Sequence, residues 1–192
     1  MLKRIETLHK ASYIHRDIKP DNIGIALIGV RDSLRAVLFD FSLARAPLDA
    51  IEAGTQGYVD PFLKRRGRWD LHADRYSAAV TLFELATGTR PRYGDGTAHP
   101  ATTDDEPTVE PTMFESSVAA GLVPFFRKTL AREADDRFDT ADEMARAWNR
   151  TFEVAEVSPP VATPIDVATA QPAPAEPAPT KAATADEPVK QT

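Results

Sequence analysis

The chain has 192 residues, 42% of them hydrophobic, and a formal net charge of −6 at pH 7. This length predicts one domain with an appendage, and the acidic balance gives no support for specific nucleic-acid binding. Cysteine is absent, which excludes disulfides and thiol catalysis. No apolar run reaches the ~18 residues of a membrane span, and no signal-peptide pattern opens the chain, so a cytoplasmic protein without a membrane partner is expected.

The first part of the chain contains a predicted helix and a predicted hairpin. Leu2, Ile5 and Leu8 recur at helical spacing, which predicts an amphipathic first helix. Two short apolar runs follow at 23–28 and 34–39, and residues typical of turns separate them. This pattern predicts a β-hairpin.

The later regular elements are predicted to be helices. Residues 74–87 are apolar around most of the circumference, which is typical of a buried helix, and Asp74 is placed at its N-terminus. Pro124 predicts the start of a short helix. Thr140 and Glu143 form a capping-box pattern, which predicts the start of a last helix with apolar residues at core spacing.

Two stretches have a different composition. Residues 93–112 are polar and contain several glycines and prolines, which predicts a long surface loop. From about Val154 proline and alanine dominate and the periodicity ends. Residues 154–192 are therefore predicted to be a disordered tail that acts as a semi-rigid linker, and residues 1–153 to be the folded domain.

One polar octet stands between the first helix and the hairpin: His15-Arg16-Asp17-Ile18-Lys19-Pro20-Asp21-Asn22. It resembles the catalytic loop of protein kinases, and the lysine two residues after the aspartate is similar to that of serine/threonine kinases. Phosphoryl transfer needs charges at fixed points and little covalent help, so these residue types in this order are informative. The alternative interpretation is a polar loop between two hydrophobic runs.

The resemblance implies roles in catalysis and in binding of Mg²⁺ and ATP. Asp17 is expected to act as the base for the acceptor hydroxyl, and Lys19 to stabilise the charge on the phosphate oxygens. Asn22 would ligate Mg²⁺ through its amide oxygen. Asp40 resembles the metal-binding aspartate of the family; alternatively, it caps a turn after a strand. Ser42 stands where the family usually has glycine, which predicts less conformational freedom in this motif.

A segment that resembles the family's peptide-acceptor region follows at Gly54–Phe62. In it, Thr55 would hydrogen-bond towards Asp17 and Lys19 and so favour a serine or threonine acceptor. Asp74 would accept hydrogen bonds from the backbone of the catalytic loop.

Three more residues are expected to support the structure of the site. His15 and Arg16 precede the catalytic aspartate, and Arg137 resembles the arginine that pairs with a glutamate after the acceptor segment. That glutamate is replaced here, and Asp60 is a candidate partner at a shifted position.

Residues 43–53 resemble the family's activation segment but contain no serine, threonine or tyrosine. In family members a phosphate in this segment often pairs with the arginine that corresponds to Arg16. Asp49 or Glu52 is a candidate for a fixed negative charge in its place; a solvated loop with incidental acids is the alternative. The basic run at 64–68 is compatible with selection of acidic substrates, although a solvated loop is the favoured interpretation.

Together these motifs identify residues 1–153 as similar to bacterial Hanks-type serine/threonine protein kinases. The implied fold is α+β, mainly α, and corresponds to the C-terminal kinase lobe with its small β-hairpin. The family's glycine-rich loop, strand lysine and helix glutamate would lie upstream of the octet, so the N-terminal lobe is expected to be missing. The variant signatures at 40–42, 58–62 and 93–96 resemble the kinases of phage-growth-limitation (BREX-type) defence systems, which implies a larger parent protein.

Two classes of function remain open. The first is a partial serine/threonine kinase that transfers the γ-phosphoryl group of ATP, with Mg²⁺, to a protein substrate. The second is a catalytically inactive binding module or a gene remnant, because positioning is most of the catalysis and the N-terminal lobe contributes to it. ATP is expected to bind well only if that lobe is supplied, and the apolar surface facing it is expected to be exposed.

Overall fold

The structure, a computed structural model, describes residues 1–28 and 33–157. Seven helices and strands follow one another in this part of the chain: α1 Leu2–Lys10, β1 Ile23–Ile28, β2 Ser33–Leu38, α2 Leu63–Arg66, α3 Leu71–Thr87, α4 Ser116–Thr129 and α5 Ala141–Val157. Short 3-10 turns lie at Pro20–Asn22, Ser42–Arg45, Pro100–Thr102, Pro111–Met113 and Ala134–Asp136. This mainly helical arrangement with one small sheet confirms the predicted α+β class. The predicted tail lies largely outside the described residues.

Helix α3 is the central element of the core. Most of its residues are buried, as expected for a helix that is apolar on nearly every side. It begins at Leu71, three residues before the predicted start, because the Asp70 carboxylate accepts a hydrogen bond from the Ala73 N–H (2.9 Å) and caps it. Asp74 therefore lies in the first turn. Gly88 ends the helix in the left-handed conformation (φ 75°), as its lack of a Cβ permits.

Helix α4 differs from the prediction, because Pro124 lies inside it and not at its start. A proline in this position removes the hydrogen bond to the carbonyl four residues earlier, at the exposed Ala120. Water can satisfy that carbonyl, so the helix tolerates the proline. The first half of α4 packs closely on α5: a Cβ added at Gly121 would lie 2.6 Å from Thr151 Cγ2.

Aromatic side chains from α3, α4, α5 and the preceding loop fill the space between these helices. Phe126 is fully buried and contacts the rings of Phe83, Phe114 and Trp148. Burial of such rings contributes most of the apolar area of a small core. The predicted surface loop at 93–112 is anchored to this core at both ends, through the buried Tyr93 and Val109.

The predicted hairpin is present. Strands β1 and β2 pair antiparallel from Ile23 opposite Leu38 to Ile28 opposite Ser33. One face of the hairpin is apolar and open to solvent, since Ile25 is 68% exposed, Leu27 63% and Leu34 71%.

No helix within the two described ranges combines the length and the hydrophobicity that a membrane crossing requires.

Candidate active site

The backbone of the catalytic loop is fastened to helix α3 through the buried carboxylate of Asp74. Its Oδ2 accepts the His15 N–H at 2.7 Å, and its Oδ1 accepts the Arg16 N–H at 2.8 Å. His9 Nε2, from α1, lies 3.1 Å from the same Oδ2. Arg16 adopts a left-handed conformation (φ 71°), which a non-glycine residue keeps only when its surroundings hold it. These bonds hold the loop in the conformation that presents Asp17.

The Asp17 carboxylate accepts four hydrogen bonds. Oδ1 accepts from Thr55 N–H (3.0 Å) and Thr55 Oγ1 (2.6 Å), and Oδ2 lies 2.9 Å from both Asn22 Nδ2 and Lys19 Nζ. Burial acts to raise the pKa of Asp17, but the hydrogen bonds from Thr55, Lys19 and Asn22 together outweigh it and lower that pKa. The carboxylate is therefore ionised at neutral pH.

Lys19 and Thr55 also contact each other. The Lys19 ammonium donates to Thr55 Oγ1 at 2.6 Å, so that this hydroxyl accepts from lysine while it donates to Asp17. The structure thus brings together the three residues that the sequence analysis predicted to meet, although Thr55 is 38 residues from Asp17 along the chain.

His15 links the catalytic loop to the end of the hairpin. Its Nδ1 accepts the Asp17 N–H (3.4 Å), which assigns the proton to Nε2, and Nε2 donates to the Phe39 carbonyl at 2.9 Å. Its ring also lies 4.8 Å, centroid to centroid, from that of Phe41. The residues on either side of Asp40 are thereby held against the catalytic loop.

The two predicted metal ligands, Asn22 and Asp40, lie at the same, open end of the hairpin, where β1 begins and β2 ends. Asn22 precedes β1, and its carbonyl accepts the N–H of Phe39, the residue before Asp40 (2.8 Å). Because the Asn22 amide nitrogen donates to Asp17, its Oδ1 is directed away from that carboxylate. In the described part of the chain no three His, Cys, Asp or Glu side chains converge as a metal cluster. The candidate cation site therefore consists of one amide oxygen and one exposed carboxylate, which are hard ligands suited to Mg²⁺.

The positive φ of this motif lies at Asp40 (55°) and not at Ser42, contrary to the position that the sequence analysis considered. Ser42 begins a 3-10 turn, in which no positive φ is required. Its N–H donates to Asp40 Oδ1 at 3.1 Å, and the side-chain and backbone hydrogen bonds from Ser42 lower the pKa of Asp40. Ser42 thus orients the candidate metal ligand.

Arg16 does not pair with either acid proposed as a substitute for a phosphate. Its Nη1 donates to the Pro47 carbonyl at 3.0 Å, and its guanidinium lies 6.0 Å from the Trp69 ring centroid. Within the described residues no ion pair joins it to Asp49 or Glu52. The activation segment turns at Pro47 and offers a backbone oxygen, so one donor of Arg16 is satisfied without a charged partner.

Trp69 is a residue that the sequence analysis missed. It is fully buried, its backbone N–H donates to the Leu48 carbonyl (2.7 Å), and its indole N–H donates to the Ala50 carbonyl (3.0 Å). The activation segment is thus docked on Trp69. A large aromatic residue between a basic run and a helix cap was the signal available in the sequence.

The structure pairs Asp60 with Arg137, the shifted partner that the sequence suggested. Arg137 Nη1 lies 2.6 Å from Asp60 Oδ2, and Arg66 Nη2 lies 2.7 Å from the same oxygen. Arg66 also binds the helix cap Asp70 (2.6 Å). For Arg66 the solvated-loop interpretation is therefore wrong: it belongs to α2 and ties the acceptor segment to the start of α3.

A site that brings a carboxylate, a lysine ammonium and a hydroxyl into mutual contact is suited to phosphoryl transfer. The chain belongs to the protein kinase family: residues 1–149 match the family model described as the protein kinase domain. It is 45% identical over 144 residues to the probable kinase PglW of Streptomyces coelicolor, covering 72% of this chain and 9% of that protein. This match fits the narrower resemblance drawn from the variant signatures.

Serine/threonine kinases of mycobacteria are also similar. The chain is 33% identical over 154 residues to the serine/threonine-protein kinase PknB of Mycolicibacterium smegmatis, covering 76% of this chain and 24% of that protein. The crystal structure of the Mycobacterium tuberculosis PknI kinase domain (C20A_R136A double mutant) aligns with a TM-score of 0.56 and 25% identity, over 78% of this chain and 51% of that one. The prediction of a partial, bacterial serine/threonine kinase domain is confirmed, and the chain spans about half of that solved domain. Kinases of this family generally use ATP and Mg²⁺.

Proposed function

We propose that this chain carries the phosphoryl-acceptor half of a serine/threonine protein kinase, which transfers the γ-phosphoryl group of ATP to a protein hydroxyl. The observation that carries the proposal is the Asp17 carboxylate, held by Lys19, Asn22 and Thr55 at one point. Folding alone does not require an ionised carboxylate, an ammonium and a hydroxyl in mutual contact.

In this proposal Asp17 positions the acceptor hydroxyl and accepts its proton. All the lone-pair positions of the carboxylate are occupied by the protein's own donors, so an incoming hydroxyl takes the place of one of them. The Thr55 hydroxyl is the donor most easily replaced, because it can keep its bond to Lys19. Lys19 then faces the phosphate oxygens, where its charge stabilises the negative charge that develops.

Asn22 and Asp40 would hold Mg²⁺, since the oxygens they present at the open end of the hairpin suit this ion. The bound ion would neutralise charge on the phosphates of ATP. Ser42 keeps the Asp40 carboxylate in place, and Asp17 keeps the Asn22 amide oriented.

The test is transfer of labelled phosphate from ATP to a random peptide library with a fixed serine or threonine, using the full natural polypeptide that contains this chain. Asp17→Asn is expected to lower the rate by about 10² to 10⁴-fold, the range for loss of a general base. The exposed Asp104→Asn is the matched control and should leave the rate unchanged. A wild-type protein that transfers no phosphate would favour the inactive binding module, and an active Asp17→Asn protein would exclude the role of Asp17.

A further inference from the structure

A cleft of about 1020 Å³ runs beside the candidate active site. The acceptor segment lines one wall, through Gly54, Gln56 and Gly57, and residues 89–93 after helix α3 line the other. Gly54 and Gln56 flank Thr55, whose hydroxyl touches Asp17. The cleft therefore begins next to the point where an acceptor hydroxyl would meet Asp17.

The charge in the cleft is predominantly positive. Lys64, Arg90 and Arg92 line it, together with Glu52 and Asp60. Asp60 is already bound by two arginines, so its charge is neutralised. Glu52 lies 3.6 Å from Lys64, but both side chains are largely exposed, and such a surface pair is weak and readily exchanged.

Two contacts fix the position of the Arg90 guanidinium in the cleft. Its Nη1 donates to the Gln56 carbonyl (3.3 Å), and its guanidinium lies 5.7 Å from the Tyr58 ring centroid. The nearby Glu84 carboxylate accepts the Tyr58 hydroxyl at 2.5 Å. Gly57 makes this packing possible, since a Cβ there would collide with the guanidinium. Over the described residues neither Arg90 nor Arg92 forms an ion pair.

We propose that this cleft selects acceptor peptides with acidic side chains next to the phosphorylated serine or threonine, and that Arg90 and Arg92 are the specificity-determining residues. The inference rests on the proposed function and names its substrate class. The net charge of the chain opposes it, since a molecule of charge −6 repels acidic peptides at long range. A measured preference for acidic peptides would therefore originate locally, in the cleft.

The experiment measures binding of fluorescein-labelled serine peptides by anisotropy at low and high salt. Three peptides differ only in the residues on both sides of the serine, which are Glu, Gln or Lys. The full chain is compared with the Arg90→Gln/Arg92→Gln double variant and with Arg150→Gln, which removes an exposed positive charge outside the cleft. Circular dichroism melting verifies that each variant is folded, and Arg92→Glu alone serves if the double variant is not.

We expect the Glu peptide to bind the wild-type chain about 10-fold more tightly than the Lys peptide at low salt, and the difference to shrink as salt screens it. The double variant should bind the Glu peptide about 5- to 20-fold more weakly, and Arg150→Gln should bind it like the wild type. Equal binding of the three peptides, binding of none of them, or an equal loss in Arg150→Gln would overturn the inference.

Phosphate transfer to the same peptides, measured with the full natural polypeptide that contains this chain, separates this inference from the proposed function. Preferred binding of the Glu peptide without transfer contradicts the proposed function and leaves the acidic selectivity of the cleft intact. Transfer to all three peptides with equal efficiency supports the kinase activity and contradicts the selectivity.

Discussion

At the scale of single residues, the protein's own donors occupy every hydrogen-bond acceptor position of the Asp17 carboxylate, and this has a consequence for function. A carboxylate that already accepts four hydrogen bonds is a weak base, but its orientation is fixed by those bonds. Exchange of the Thr55 hydroxyl for an acceptor hydroxyl keeps the number of hydrogen bonds constant. Under the proposed function, Thr55 would therefore occupy the position of the substrate hydroxyl, in line with a serine or threonine acceptor.

The same hydrogen bonds make stability depend on pH. Because the folded-state pKa of Asp17 is lowered, its stabilising contribution is present above the unfolded-state value, about 3.9, and is lost as pH falls through the lower folded-state pKa. Urea unfolding of wild type and Asp17→Asn between neutral and strongly acidic pH should therefore show a difference in unfolding free energy that shrinks in acid. A difference that is constant with pH would contradict the lowered pKa.

Much of the contact pattern at the residue scale could be predicted from the sequence. Asp17, Lys19 and Thr55 were predicted to meet, and they do, because a motif that requires charges at fixed points leaves a specific pattern. The partner of Arg16 could not be predicted. It is the carbonyl of Pro47, a backbone atom that every residue carries, so only the path of the chain reveals it.

At the scale of elements, the activation segment is docked on Trp69, which binds the carbonyls of Leu48 and Ala50. Trp69→Ala should lower the free energy of unfolding by about 3 to 5 kcal/mol and release the segment, because the side chain is fully buried and bonded to Ala50. Limited trypsin digestion should then cut faster after Arg45, just before the docked residues.

Trp69→Phe is the matched variant, because it keeps most of the apolar bulk and removes the indole N–H. It should cost about 1 kcal/mol and leave the cleavage rate near that of the wild type. Equal protection of Arg45 in the wild type and in Trp69→Ala would show that the segment is held by other contacts.

The elements that were predicted well are those with a strong local signal in the sequence. Helix α1 and the hairpin carry periodic apolar patterns, and α3 is apolar on nearly every side. The first half of α4 lacks such a signal: it contains small residues and a glycine, and Pro124 suggested a start. This half packs closely on α5, where Gly121 meets Thr151, 30 residues further along the chain. A short stretch of sequence does not contain such tertiary contacts, which can override local helix propensity.

At the scale of the whole molecule, the apolar face of the hairpin is a surface that favours association. Leu27 lies directly opposite Leu34, and both are more than 60% exposed. Contiguous exposed apolar surface of this kind promotes contact with a partner or with a second copy. Threonine is well suited to strands, so Leu27→Thr/Leu34→Thr removes the apolar area while it preserves the hairpin.

We expect the double threonine variant to sediment with a smaller share of associated species than the wild type at equal concentration. Leu85→Thr is the control, since Leu85 is 64% exposed and belongs to α3, not to the hairpin. If the control reduces association as much as the hairpin variant does, general surface hydrophobicity and not this face is responsible.

The buried carboxylate of Asp74 accepts hydrogen bonds from the backbone amides of His15 and Arg16, which lie 59 and 58 residues before it in the sequence. These two amide hydrogens can exchange with deuterium only when the catalytic loop separates from α3, and α3 is the middle of the core. Their exchange should therefore be as slow as that of the amide of Val80 inside α3, although they belong to a loop. If so, the active-site loop opens only when the whole domain unfolds, and deuterium uptake at His15 and Arg16 is a direct measure of global stability.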